Sequence, residues 1–136
     1  MLTAVPVSVA RRDAVQSAQV KVNAIAESAV AEWRQLFSSR DFEGAAATYD
    51  RIRELGEDTT GSAREAVRQV AAQYQTTFKS VATAWDAACA RNDKVALLTI
   101  REWGLSLDPK RNIQPEVLNR MRECTKPAAP KGNVAK

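Results

Sequence analysis

The 136-residue chain contains no histidine, only five glycines, five prolines and two cysteines, and none of its apolar runs is long. Each shortage excludes something. Without histidine, a general base would have to be a lysine or a carboxylate, and a zinc site would rest on two cysteines and carboxylates, a poor ligand set. No two carboxylates share an apolar face where burial would drive their pKa values apart, so acid–base catalysis has no evident seat. The glycines, at 44, 56, 61, 104 and 132, are isolated, and none builds a loop that could cradle a phosphate. The chain reads as non-enzymatic, with no cofactor, no metal and no small-molecule substrate.

Proline occurs only at 6, 109, 115, 127 and 130, which leaves residues 7–108 open to uninterrupted helix. No stretch approaches the roughly 18 consecutive apolar residues of a membrane span, so no membrane insertion is expected. The apolar opening has no basic residue before it and carries Arg11 and Arg12 where a signal peptide would place its cleavage site. A cytoplasmic protein is expected. Cys89 and Cys124 lack a metal-type spacing; in that compartment they should be free thiols, the alternative being one disulfide from the C-terminal segment to the third helix.

The length fits one ordinary domain. Its net charge of +4 is unevenly placed. Residues 1–106 balance thirteen basic against thirteen acidic side chains, whereas residues 107–136 hold seven basic and three acidic ones. The excess therefore lies in a C-terminal appendage and not in the body.

What the chain does contain is an internal echo. Trp33 and Trp85 stand fifty-two residues apart, and each is followed eight residues later by an aspartate, Asp41 or Asp93. The same offset superimposes Arg12-Asp13-Ala14-Val15 on Arg64-Glu65-Ala66-Val67. Val15, Ala18, Val22, Ile25, Ala29, Trp33 and Leu36 recur at spacings of three and four, predicting one long amphipathic helix over about 8–39. Their partners, Val67, Val70, Tyr74, Thr77, Val81, Trp85 and Ala88, predict a second over about 62–91, and the mean period near 3.5 is that of a coiled-coil seam.

Asp41 and Asp93 are placed to cap shorter helices. The first should run over about 42–55 on Phe42, Ala45, Ala46, Tyr49, Ile52 and Leu55, stopping at a left-handed Gly56; the second over about 94–103 on Val95, Leu98, Ile100 and Trp103, stopping at Gly104. Ser62 and Glu65 form a capping box, and Pro115 opens a last short helix to about Cys124. The expected fold is all-α: two long-short hairpins in tandem, four-helix and bundle-like or repeat-like, with units at about 8–56 and 60–104 inside a body spanning 1–106. A helical segment at 107–125 and a disordered basic tail at 126–136 come after it.

Asp41, Phe42, Ala45, Tyr49 and Ile52 together resemble the turn and second helix of a tetratricopeptide repeat, and Asp93, Ala96 and Ile100 echo them. The resemblance implies an αα-hairpin and no particular ligand.

Helices of about thirty and fourteen residues measure ~45 Å and ~21 Å, so the short ones cannot cover the long ones. In a chain with tight turns the two long helices should run parallel, with their N-terminal halves projecting together. An apolar stripe left uncovered there marks an interaction site. The candidate partner-binding residues are therefore Arg12, Val15, Val22, Arg64, Val67 and Tyr74, and the expected function is protein–protein interaction or assembly, as a homodimer or with another protein. One alternative is nucleic-acid binding through Lys110, Arg111, Arg120, Arg122, Lys126 and Lys131. Another is a small regulator, of the kind phages and mobile elements encode, that blocks a larger machine.

Overall fold

The computed structural model describes residues 7–124, and for residues 7–13 it describes the helix but not the side chains. Among the described residues every regular element is a helix: α1 (Val7–Ser38), α2 (Phe42–Gly56), α3 (Gly61–Arg91), α4 (Lys94–Leu107) and α5 (Pro115–Arg120). The protein is all-α, as expected. The expected tail at 126–136 lies outside the described residues.

Both short helices start from the same turn. Arg40 and Asn92 adopt left-handed backbone angles, φ 67° and 55°. The N–H of Arg40 donates to Phe37 O and that of Asp41 to Leu36 O; Asn92 and Asp93 donate likewise to Cys89 O and Ala88 O. These paired bonds close the C-terminus of a long helix by satisfying carbonyls that have no partner within it. Each aspartate then caps the next helix: Asp41 accepts from Gly44 N–H at 3.0 Å and Asp93 from Ala96 N–H at 3.1 Å. The fifty-two-residue echo is thus a repeated helix-stop and helix-start signal.

The chain divides into two compact units within α3, between Tyr74 and Gln75. The sequence repeat and the compact units are therefore different divisions of the chain. In the first unit, α1 and α2 form an antiparallel pair, joined by the Arg51–Glu32 salt bridge and by the rings of Phe37 and Phe42. The 57–60 loop is sewn onto α1: Gln19 donates to Asp58 O, and Asn23 both donates to Thr60 Oγ1 and accepts from Thr60 N–H. Thr59, within this loop, is wholly buried.

Residues 61–74 of α3 run parallel to α1. Ser62 donates to Glu27 and Arg34 to Gln69, both at a separation of 35 residues, so the expected parallel course holds while the level does not. The first turn of α3 lies beside Asn23 and Glu27, and α1 alone extends past it. Ser62 spends its hydroxyl on Glu27 and not on a capping box, while the Thr60 carbonyl receives the first helical bond of α3, from Arg64 N–H. The left-handed glycine is Gly61, φ 54°, and Gly56 is the last residue of α2.

The inner line of α1 is Ala26, Ala29, Val30 and Trp33, all buried. Ile25, expected on that line, is 55% exposed because its neighbour Ala26 takes the inward place. Trp33 anchors an aromatic cluster with Phe37, Tyr49 and Tyr74, and its indole N–H donates to Tyr74 Oη at 2.9 Å in the interior.

In the second unit the expected stripe of α3 is buried at Val81, Trp85 and Ala88, while Thr77 is half-buried and its neighbour Phe78 takes the inward place. α4 does not stop at Gly104. That glycine is buried inside the helix, where a Cβ would meet Met121 Cε at 2.7 Å and Leu118 Cδ2 at 3.1 Å, so its small size serves packing and not termination. The inward face of α4 also differs from the expectation: Gly104 and Leu107 are buried, Ile100 and Trp103 half-buried, while Val95 and Leu98 face water.

Asp108 organises the return to α5. Its carboxylate is completely buried and accepts from the backbone N–H groups of Asn112, Ile113 and Gln114 at 2.8–2.9 Å. The cysteines are not free: Cys89 on α3 is bonded to Cys124, correcting the expectation of two thiols. The bridge holds the chain beyond α5 against the end of α3, and no local sequence signal reports that proximity.

Two stability measurements test these assignments. Tyr74→Phe leaves the buried Trp33 N–H without its acceptor, so urea unfolding should lose about 1–3 kcal/mol; an unchanged midpoint would remove the bond from the account. Replacing both cysteines by serine opens a loop of 35 residues, with an expected loss of roughly 4 kcal/mol, and reductant should lower the stability of the wild type but not of this variant.

Candidate functional site

At 100° per residue, Val15, Ala18 and Val22 lie on the same line of α1 as buried Ala26, Ala29 and Trp33. The line continues, but its cover does not. Val15 is 64% exposed, Ala18 is exposed and Val22 half-buried. Together with Gln19, the 57–60 loop and Arg64 they border an open hollow of about 390 Å³. Its wall is apolar on the α1 side and acidic on the loop side, through Glu57 and Asp58.

The sequence-predicted residues are only partly brought together there. Val15, Val22 and Arg64 line this hollow, and Arg64 donates to Glu57 O. Val67 does not project beside Val15, because the 35-residue stagger of the parallel helices sets it lower, where its Cγ1 lies against Gly56. Tyr74 is 1% exposed and bonded to Trp33, so it belongs to the core and offers nothing to a partner. The side chain of Arg12 lies outside the described residues.

A second hollow of the first unit, about 410 Å³, lies beside Trp33, Phe37 and Val70. Its polar rim satisfies itself, since Arg34 donates to Gln69 at 2.8 Å. Nothing there asks for a ligand. Among the described residues no group of three or more cysteine or carboxylate side chains is gathered as a metal site, and no helix is long and apolar enough to cross a membrane.

The basic residues of the C-terminal segment are sorted by the fold. Arg120 is held by Asp86 in a salt bridge, and Lys110 has an interaction of its own. Arg111 and Arg122 are exposed and border one small cleft together with Arg101 of α4. Lys126 and Lys131 lie outside the described residues. Arg101 is a member of this basic cluster that sequence reasoning missed, because it belongs to the electrically neutral body and joins Arg111 and Arg122 only in space.

One titratable group reports on the buried aromatic cluster. Burial pushes the Tyr49 phenol above its ordinary value, and the Arg53 guanidinium, 4.7 Å from the ring centre, partly opposes the shift. A folded-state value raised above the unfolded one makes a stability contribution that is complete below pH ~10 and lost as pH rises through the folded value. The difference in tyrosinate absorbance between wild type and Tyr49→Phe should therefore have a midpoint above about 10, and Arg53→Gln should move it higher; a midpoint at or below that value would contradict the burial. No known protein family, curated protein or solved structure matches the chain.

Proposed function

We propose that this is a non-enzymatic helical assembly protein that pairs with a second copy of itself through the N-terminal half of α1. The observation that carries the reading is Val15, an apolar residue 64% exposed in line with a buried stripe. Val20, 66% exposed on the opposite side of the same helix, adds apolar surface but no continuity with the core. An uncovered continuation of a core line is what a helix presents when another helix completes its packing. A second copy is the simplest partner, because a two-fold interface needs only one such face per chain.

The repeated turn supports a duplicated long-short unit as the scaffold for that face. The Cys89–Cys124 bridge favours an oxidising compartment over a reducing cytosol, which shifts the expected cytoplasmic location.

Light scattering across a concentration series gives the test. The wild type should approach the dimer mass, and Val15→Asp, at a surface position, should return the monomer with its helix content unchanged. A wild type that stays monomeric at every concentration sinks the reading.

A further inference from the structure

The second unit carries a different surface, independent of self-association through α1. α4 packs inward through Gly104 and Leu107 and presents Lys94, Val95 and Leu98 outward, with Arg101 half-buried beside them. Val95 is 76% exposed and Leu98 62%. Beside them an open hollow of about 320 Å³ has Trp85, Leu97 and Leu98 as its apolar lining, with Lys94, Arg101 and Arg122 at its edge and Glu123 its single carboxylate. A smaller cleft of about 60 Å³ shares Arg101 and Arg122 with it and adds Arg111.

Three cations from two parts of the chain, Lys94, Arg101 and Arg122, thus edge one apolar strip, and Arg111 lies on the adjoining cleft. Two other cations of this unit are paired, Arg91 with Asp93 and Arg120 with Asp86. The side chains of Lys94, Arg101, Arg111 and Arg122 have no hydrogen bond or ion pair among the described residues. Three cations against the single carboxylate of Glu123 leave an excess of positive charge at the hollow, and an anionic partner relieves the repulsion among them while gaining from the apolar strip.

We propose that this face of the second unit docks an acidic, amphipathic segment of a partner protein. Leucine-like or phenylalanine-like side chains would enter the hollow over Trp85 and Leu97 and cover Leu98 and Val95, and flanking aspartates or glutamates would meet Lys94, Arg101 and Arg122. The size of the strip selects a peptide over a small ligand: the hollow alone is at the small end of organic-ligand sites, about 300–1,000 Å³, and a molecule filling it would leave Val95 in water. The same strip argues against a nucleic acid. Phosphate backbones use cations but gain nothing from exposed valine and leucine, and Trp85 is too deeply buried to stack on a base.

Panning a displayed library of random sixteen-residue peptides against the full chain tests the proposal. Enriched peptides should combine acidic residues with leucine or phenylalanine at helical spacing. Their affinity, read by fluorescence anisotropy, should fall at least about tenfold for Arg101→Glu with Arg122→Glu and for Val95→Asp with Leu98→Asp. The second pair is exposed, so it reports on binding even if the arginine variant folds poorly. Oligothymidylate and polyglutamate are the competitors. Failure to enrich acidic amphipathic peptides, retention of affinity by the Val95/Leu98 variant, or equal displacement by either polyanion overturns the proposal. None of these outcomes depends on whether Val15 mediates a dimer.

Discussion

Everything in this fold depends on stopping a long helix and starting the next one within a few residues. The repeated turn does so with one left-handed residue, two backbone bonds that close the outgoing helix, and an aspartate that opens the incoming one. Because those bonds reduce the number of orphan carbonyls and amides to be solvated, the outgoing and incoming helices can be held close enough to bury their stripes. The direction of α2 from α1, and of α4 from α3, is set there. Trp33 and Trp85, about two turns before each aspartate, are both buried.

The two units reach a packed core by different means. The first has small residues on α1, Ala26 and Ala29, which let large rings from elsewhere approach, and its interior is knit by the Trp33–Tyr74 bond. The second has large residues on α3, Phe78 and Val81, and depends on the chain beyond α4: the Asp108 carboxylate that gathers three backbone amides, and the Cys89–Cys124 bridge. The turn is the same in both and the packing is not. The exposed surfaces differ as well, one apolar and edged by Glu57 and Asp58, the other apolar and edged by Lys94, Arg101 and Arg122.

Much of the architecture was legible because it is local. The helices, their aspartate caps and the inward tryptophans are set by spacing and by short-range hydrogen bonding, which a linear pattern records. The candidate sites were legible only where they continue such a pattern, as Val15 and Val22 do. Val67 and Tyr74 were placed beside them by assuming helices that start level. The stagger that separates them is imposed by Gln19 and Asn23 gripping the loop, which no periodicity encodes. Arg101 was invisible as part of the basic cluster because charge counted along the chain averages away a group drawn from α4, a loop and the C-terminal segment.

The sequence by itself determined which segments are helical, where most of them break and which aspartates cap them, since helix geometry and capping act over a few neighbours. Only the tertiary structure decided that Gly104 is a packing contact inside α4, that Asp108 is buried, and that Cys89 and Cys124 are joined. Those outcomes depend on which distant atoms arrive at the same place, and arrival is settled by the burial of whole faces. The fifty-two-residue echo accordingly foretold the turns, and left the surfaces on either side of them to packing.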